Sequence, residues 1–115
     1  MANEEHLKLL SKGREIWNEW RKANPDIQPD LSLANLEGVD LSWHDLKGAK
    51  LQDANLSGAN LHLANLSKAY ALRTNFRGCN FQHARCSGAF MHRSNLDGAN
   101  LLSCLLYTSP SPRDS

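Results

Sequence analysis

An apolar side chain recurs at every fifth position from Leu31 to Leu101: Leu31, Leu36, Leu41, Leu46, Leu51, Leu56, Leu61, Leu66, Ala71, Phe76, Phe81, Cys86, Met91, Leu96 and Leu101. In a chain that is 41% hydrophobic, chance would give such a column about once in 10^5. Two residues before each centre lies a column of small side chains, among them Ala34, Ala49, Ala54, Ala59, Ala64, Ala69, Thr74, Cys79, Ala84, Ala89, Ser94 and Ala99, with His44 as the exception. Asn mostly fills the position between the columns, and Gly often follows two residues after the centre. Five matches neither the 3.6-residue period of a helix nor the alternation of a long strand. Two inward residues flanking one outward residue make a short extended side, and the rest of the unit is a turn. Gly suits a turn residue of positive φ, and Asn and Ser bond locally to turn backbone. Four sides close into a coil of 20 residues, which stacks positions 20 apart at roughly the 4.8 Å inter-strand spacing. The large column then fills the axis, and the small column lets the walls approach.

Residues 4 to 23 follow the helical period instead. Leu9 or Leu10, Gly13, Ile16 or Trp17, and Trp20 fall on one stripe, with Asn3 as N-cap and Glu4 and Glu5 in the first turn. Asn24-Pro25 ends the helix. A solenoid exposes the apolar section and unpaired edge of its first coil, so one amphipathic helix placed there, with Leu10, Trp17 and Trp20 facing inward, is expected to cap it. The alternative is a Trp-bearing helix that docks on a partner.

The units Ala34-Asn35-Leu36-Glu37-Gly38, Ala54-Asn55-Leu56-Ser57-Gly58 and Ser94-Asn95-Leu96-Asp97-Gly98 resemble the A-(D/N)-L-x-x repeats of the pentapeptide-repeat family. That resemblance implies an all-β solenoid, a right-handed quadrilateral β-helix, usually without enzymatic activity and in some members a protein-binding surface. The segment Trp17 to Leu31 is similar to leaders that precede bacterial pentapeptide-repeat modules, some of them in larger proteins. The organisation expected is a capping helix and linker over 1–30, a β-helix over 31–103, and a separate tail over 104–115.

The tail turns rich in Ser and Pro, and Cys104 to Asp114 resembles a translation of the adapter used in transposase-based DNA sequencing libraries. It is set aside as non-native, with the natural chain expected to continue past Ser103. A length of 115 residues bounds the chain to one small domain, and 13 Lys and Arg against 12 Asp and Glu remove any net-charge argument for nucleic acid or membrane as partner. No apolar run reaches membrane-spanning length and the N-terminus lacks the features of a secretory signal, so a cytoplasmic protein is expected. Three cysteines at irregular spacing argue for free thiols rather than a disulfide framework.

Candidate chemistry is sparse. His44 in a small-residue slot means either a wider coil beside Trp43 or a side chain turned outward. Cys79, His83, Cys86 and His92 have metal-ligand chemistry, but the repeat sends the thiols inward on different walls and the imidazoles outward, so no metal or other cofactor is expected. The outward residues say more. Tyr70 and Phe90 take a position normally held by Asn and lie 20 apart, which stacks them on one wall with Lys50 a coil below. Arg73 and Arg93 stack with Asp53 beside them, and Leu72 neighbours His92. Residues 31 to 60 carry Glu37, Asp40, Asp45 and Asp53 against Lys47 and Lys50, whereas residues 61 to 103 carry Lys68, Arg73, Arg77, Arg85 and Arg93 against Asp97.

The pattern therefore points to a noncatalytic protein-interaction or spacer module whose partner surface is Lys50, Tyr70, Phe90, Arg73 and Arg93. A second copy meeting an exposed coil end is another partner to consider. A DNA mimic that inhibits a type II topoisomerase is the alternative, and the basic later coils oppose it. No nucleophile with a base, no paired carboxylates in a cleft and no phosphate-binding loop marks an enzyme.

Overall fold

The computed structural model describes residues 1–104, so nearly all of the tail over 104–115 lies outside the described residues. From Asp30 onward every side of the coil pairs in parallel with the residue 20 positions later: Asp30 with Lys50, Asn35 with Asn55, Asp40 with Asn60, Asp45 with Asn65, and so on to Asn80 with Asn100. Four bridging residues thus fall in each turn, one per side. Each side is so short that pairing rests on single bridges rather than on runs of strand. At one such rung Asn55 N–H donates to Ala34 O (2.9 Å) while Asn55 O accepts from Leu36 N–H (2.7 Å). The corner repeats as regularly. Ala34 N–H donates to Leu31 O at 3.2 Å and Leu33 has φ 64°, the signature of a type II turn. Gly58 meets the same demand with φ 69° at no steric cost, while Leu33, Trp43 and Lys68 accept it with a side chain.

Inside the coil the centre column is sealed: Leu31, Leu41, Leu46, Leu51, Leu56, Leu61 and Leu66 have no exposed surface. The coil from Ala71 exchanges four leucines for Ala71, Phe76, Phe81 and Cys86, two larger side chains offset by two smaller ones. The Phe76 and Phe81 rings cross at 63° with centroids 5.0 Å apart. Such an exchange keeps the core near its packed volume. Polar residues in the small column are satisfied by the coil below, with Thr74 Oγ1 donating to Leu51 O (2.6 Å) and Cys79 Sγ to Leu56 O (2.7 Å). Met91, Leu96 and Leu101 of the last described coil are half-buried. Cys104 keeps to the repeat, its N–H donating to Leu101 O at 3.0 Å.

The capping segment differs from the single helix that its stripe suggests. Two helices form, α1 (Glu4–Ser11) and α2 (Arg14–Ala23). Gly13 adopts φ 101°, ψ 170°, a conformation outside the helical region that glycine alone takes readily, so the chain turns between them. Asn3 caps α1 as its sequence suggests, accepting from Glu5 N–H (2.8 Å) and His6 N–H (3.2 Å). Leu10 rather than Leu9, and Trp17 rather than Ile16, enter the core. Trp20 is half-buried between His6 and Trp17, with ring centroids 4.9 and 5.2 Å away.

Helix α2 answers the open edge of the first coil group by group. Trp17 Nε1 donates to Asp45 O (2.9 Å), Asn18 bridges Trp43 O and Asp45 N–H (3.0 and 2.8 Å), and Arg21 spreads its guanidinium over Asp45 O, Ile27 O and Lys47 O (3.1, 3.0 and 2.6 Å). These carbonyls have no coil beneath them, and an orphaned buried carbonyl costs about 1–3 kcal/mol. Arg21 is consequently buried, at 8% exposure. No helix among the described residues is long and apolar enough to cross a membrane.

Candidate interaction wall

The outward residue of each side has a local duty. Asp30, Asn35, Asp40, Asp45, Asn55, Asn60, Asn65, Asn75, Asn80, Asn95 and Asn100 each accept, through the side-chain oxygen, the N–H of the residue two positions later. Stacked asparagines add weaker rungs, as where Asn75 Nδ2 donates to Asn55 Oδ1 at 3.3 Å. All eleven Asp and Asn residues at this position, from 30 to 100, make the bond. Only Lys50, Tyr70, Arg85 and Phe90 lack an acceptor to make it with, and Lys50, Tyr70 and Phe90 stand on one wall. Each forgoes a hydrogen bond of about 0.5–1.5 kcal/mol.

In exchange the wall carries an aromatic ledge. Tyr70 and Phe90 stack with centroids 5.2 Å apart and planes 9° from parallel, and remain 41% and 50% exposed. Lys50 lies one coil below, its Nζ 3.9 Å from Asp30. Arg73, on the next corner, makes a two-pronged pair with Asp53 at 2.8 and 3.0 Å. That contact, chiefly its hydrogen bond, lowers the Asp53 pKa and raises that of Arg73. Burial alone would raise the Asp30 pKa, but bonds from the Ser32 hydroxyl and N–H, with Lys50 nearby, bring it below the ordinary value. Of the five residues expected to form the surface, two are therefore partly neutralised, while Arg93 is exposed and in no ion pair among the described residues.

The sequence gives no warning of the groove beside the ledge. The linker Pro25 to Gln28 folds along the wall, and together with Lys22, Lys47, Gly48, Lys68 and Tyr70 it encloses an open cleft. On that corner Lys68 (φ 60°) interrupts Gly48 and Gly88, with its stem lying beside Gly88.

The other candidates have structural explanations. His44 is 3% exposed with Nδ1 on Ser42 O (3.0 Å), so the side chain turns inward, in a first coil that has the next coil on one side only and the hinge around Lys12 to Ile16 on the other. Cys79 and Cys86 are buried, while His83 and His92 are exposed. Burial pushes the Cys79 thiol up to about 11. Contact with Cys104 Sγ (3.7 Å), with burial, raises the Cys86 pKa as well. Among the described residues no three His, Cys, Asp or Glu side chains gather as metal ligands.

The profile of pentapeptide repeats matches in eight copies, over residues 30–53, 45–82 and 74–107. The chain belongs to the pentapeptide-repeat family. Its coil resembles that of HetL, a pentapeptide-repeat protein involved in heterocyst differentiation regulation in the cyanobacterium Nostoc sp. strain PCC 7120, with 34% identity and a TM-score of 0.67 over 68% of this chain and 36% of that one. A second pentapeptide-repeat protein of Nostoc PCC 7120 is 32% identical, with a TM-score of 0.51 over 75% of this chain and 69% of the other. The pentapeptide-repeat chain described here thus spans about a third of HetL. Among curated protein sequences none matches significantly.

Proposed function

We propose that this pentapeptide-repeat chain is a noncatalytic protein-interaction module, a right-handed quadrilateral rod that presents the wall of Lys50, Tyr70 and Phe90 to another protein. One observation carries the reading: above Asp30, three successive coils of that wall, at Lys50, Tyr70 and Phe90, give up the local acceptor that Asp and Asn supply at eleven sites, and two of them set exposed stacked aromatics in its place. Residues that break a fold's own rules, and remain exposed where they do so, are best explained by function. The involvement of HetL in heterocyst differentiation regulation fits a protein that works by binding. The sealed coil interior is also what a binding rod needs, and it leaves little room for a substrate pocket.

The test is capture of partners from a lysate of the source organism on the immobilised chain. Tyr70→Ala/Phe90→Ala is expected to lose a protein that the parent retains. Unchanged capture would exclude the wall. Topoisomerase inhibition by DNA mimicry finds no support in a wall lined by Lys47, Lys50, Lys68 and Arg93, and a supercoiling assay is expected to show none.

A further inference from the structure

We infer that the wall and its flanking groove bind an acidic, extended peptide segment carrying an aromatic or apolar side chain, which lies on the Tyr70–Phe90 ledge while its carboxylates meet Lys22, Lys47 and Lys68. This rests on the reading that the wall is the module's binding surface, and adds the chemistry of what it binds.

Two independent departures meet at this place. The first is the loss of the acceptor column at Lys50, Tyr70 and Phe90. The second is Lys68, which holds a positive-φ corner (φ 60°) where Gly48 and Gly88 hold the corners a coil before and after. Eight other corners bear a side chain at positive φ, but in the series 38, 48, 58, 68, 78, 88 and 98 glycine holds every place except that of Lys68, which lines the groove together with Tyr70. Charge decides the ligand's sign. Around the ledge and groove Asp30, Asp45 and Asp53 each have a cationic partner, at 3.9, 3.8 and 2.8 Å. Lys22, Lys47 and Lys68 are exposed and in no ion pair among the described residues, and share their groove with two carboxylates, Asp26 and the Arg21-paired Asp45. The whole chain carries only +1, so this cationic excess is a local feature.

An aromatic and basic surface could also take single-stranded nucleic acid, where successive bases stack on separate side chains along a cationic track. Here Tyr70 and Phe90 stack on each other and leave no slot between them, and Lys50 and Arg73 are already paired with carboxylates. A single planar or branched side chain flanked by carboxylates fits better.

The probe is a fluorescein-labelled random copolymer of Glu and Tyr, read by anisotropy against labelled Glu homopolymer and oligothymidylate. The copolymer is expected to bind at least about tenfold more tightly than the homopolymer. Tyr70→Asn/Phe90→Asn, which restores the residue used by the other walls, is expected to erase that difference in a chain whose circular dichroism is unchanged. Lys68→Gly, which installs its neighbours' residue, is expected to weaken both polymers severalfold and to flatten the salt dependence. Absent copolymer binding, equal binding by the Asn variant, or tighter binding of oligothymidylate would overturn the inference. If the copolymer fails while capture of a cellular partner still depends on Tyr70 and Phe90, the acidic chemistry is wrong and the binding wall stands. If both fail, both readings fall.

Discussion

Each inward residue has a fixed volume to fill, because a narrow coil offers it only the neighbours of its own turn and the two adjacent ones. Leu56 has no exposed surface, and Leu56→Ala is expected to cost about 2–5 kcal/mol, read as a lower urea midpoint with unchanged slope. A loss under about 0.5 kcal/mol would mean that Leu56 does not face a packed axis. The corner behaves differently. Gly58 has φ 69° and nothing within 4 Å of where a Cβ would stand, so Gly58→Ala meets backbone strain alone, about 1–2 kcal/mol. A much larger loss in the same titration would show that the corner is crowded.

At the scale of the element, the cap joins the coil through backbone groups. Arg21→Ala leaves the carbonyls of Ile27 and Lys47 short of a donor, while Asp45 O keeps Trp17 Nε1, and is expected to cost about 2–3 kcal/mol, with faster amide exchange concentrated in residues 31 to 50. Uniform acceleration over all coils would contradict a local cap. Acid acts on the same seam. Burial lowers the pKa of both His6 and His44 below 6.5, against the pull of Asp30 and Glu5 on His6 and of the Ser42 carbonyl and Asp40 on His44, with Arg21 and Arg14 adding to the lowering. His6 Nδ1 accepts the Asp30 N–H at 3.0 Å, which it can do only while that nitrogen is unprotonated. Both rings thus favour the neutral form in the folded chain. Their contribution is full above about pH 6.5 and is withdrawn as pH falls through the lowered folded values. Tryptophan emission from Trp17 and Trp20 is expected to report a cap that loosens in acid, below about pH 6.5, before the coil unfolds, and a cap whose emission stays constant until the coil itself melts in acid would refute this.

The seam also marks where sequence reading stopped. The column of fifteen apolar centres made the coil legible, because period five leaves few alternatives. The helical stripe narrowed the cap's inward residues to Leu9 or Leu10, Ile16 or Trp17, and Trp20, of which Leu10 and Trp17 are buried. The break at Gly13 did not, since the stripe runs through it without interruption. Asn18 and Arg21 went unnoticed because their partners are backbone carbonyls, which carry no sequence signature. The ledge of Tyr70 and Phe90 was readable from the arithmetic of 20, as was Lys68 on the corner two residues before Tyr70, whereas Lys22 joins them only because the linker folds back along the wall.

For the whole molecule, the wall combines a cost and a use. Restoring Asn at 70 and 90 regains two local hydrogen bonds of about 0.5–1.5 kcal/mol each and loses one aromatic stack of about 0.5–1.5 kcal/mol, so the balance centres on about 1 kcal/mol of stabilisation, with near-neutral as its lower end. If the aromatics served the fold, the sign would reverse. Scanning calorimetry of Tyr70→Asn/Phe90→Asn beside the parent chain decides this directly. The account expects a melting temperature equal to the parent's or a few degrees higher, and a fall of several degrees would show that the ledge holds the coil together and is not kept for a partner.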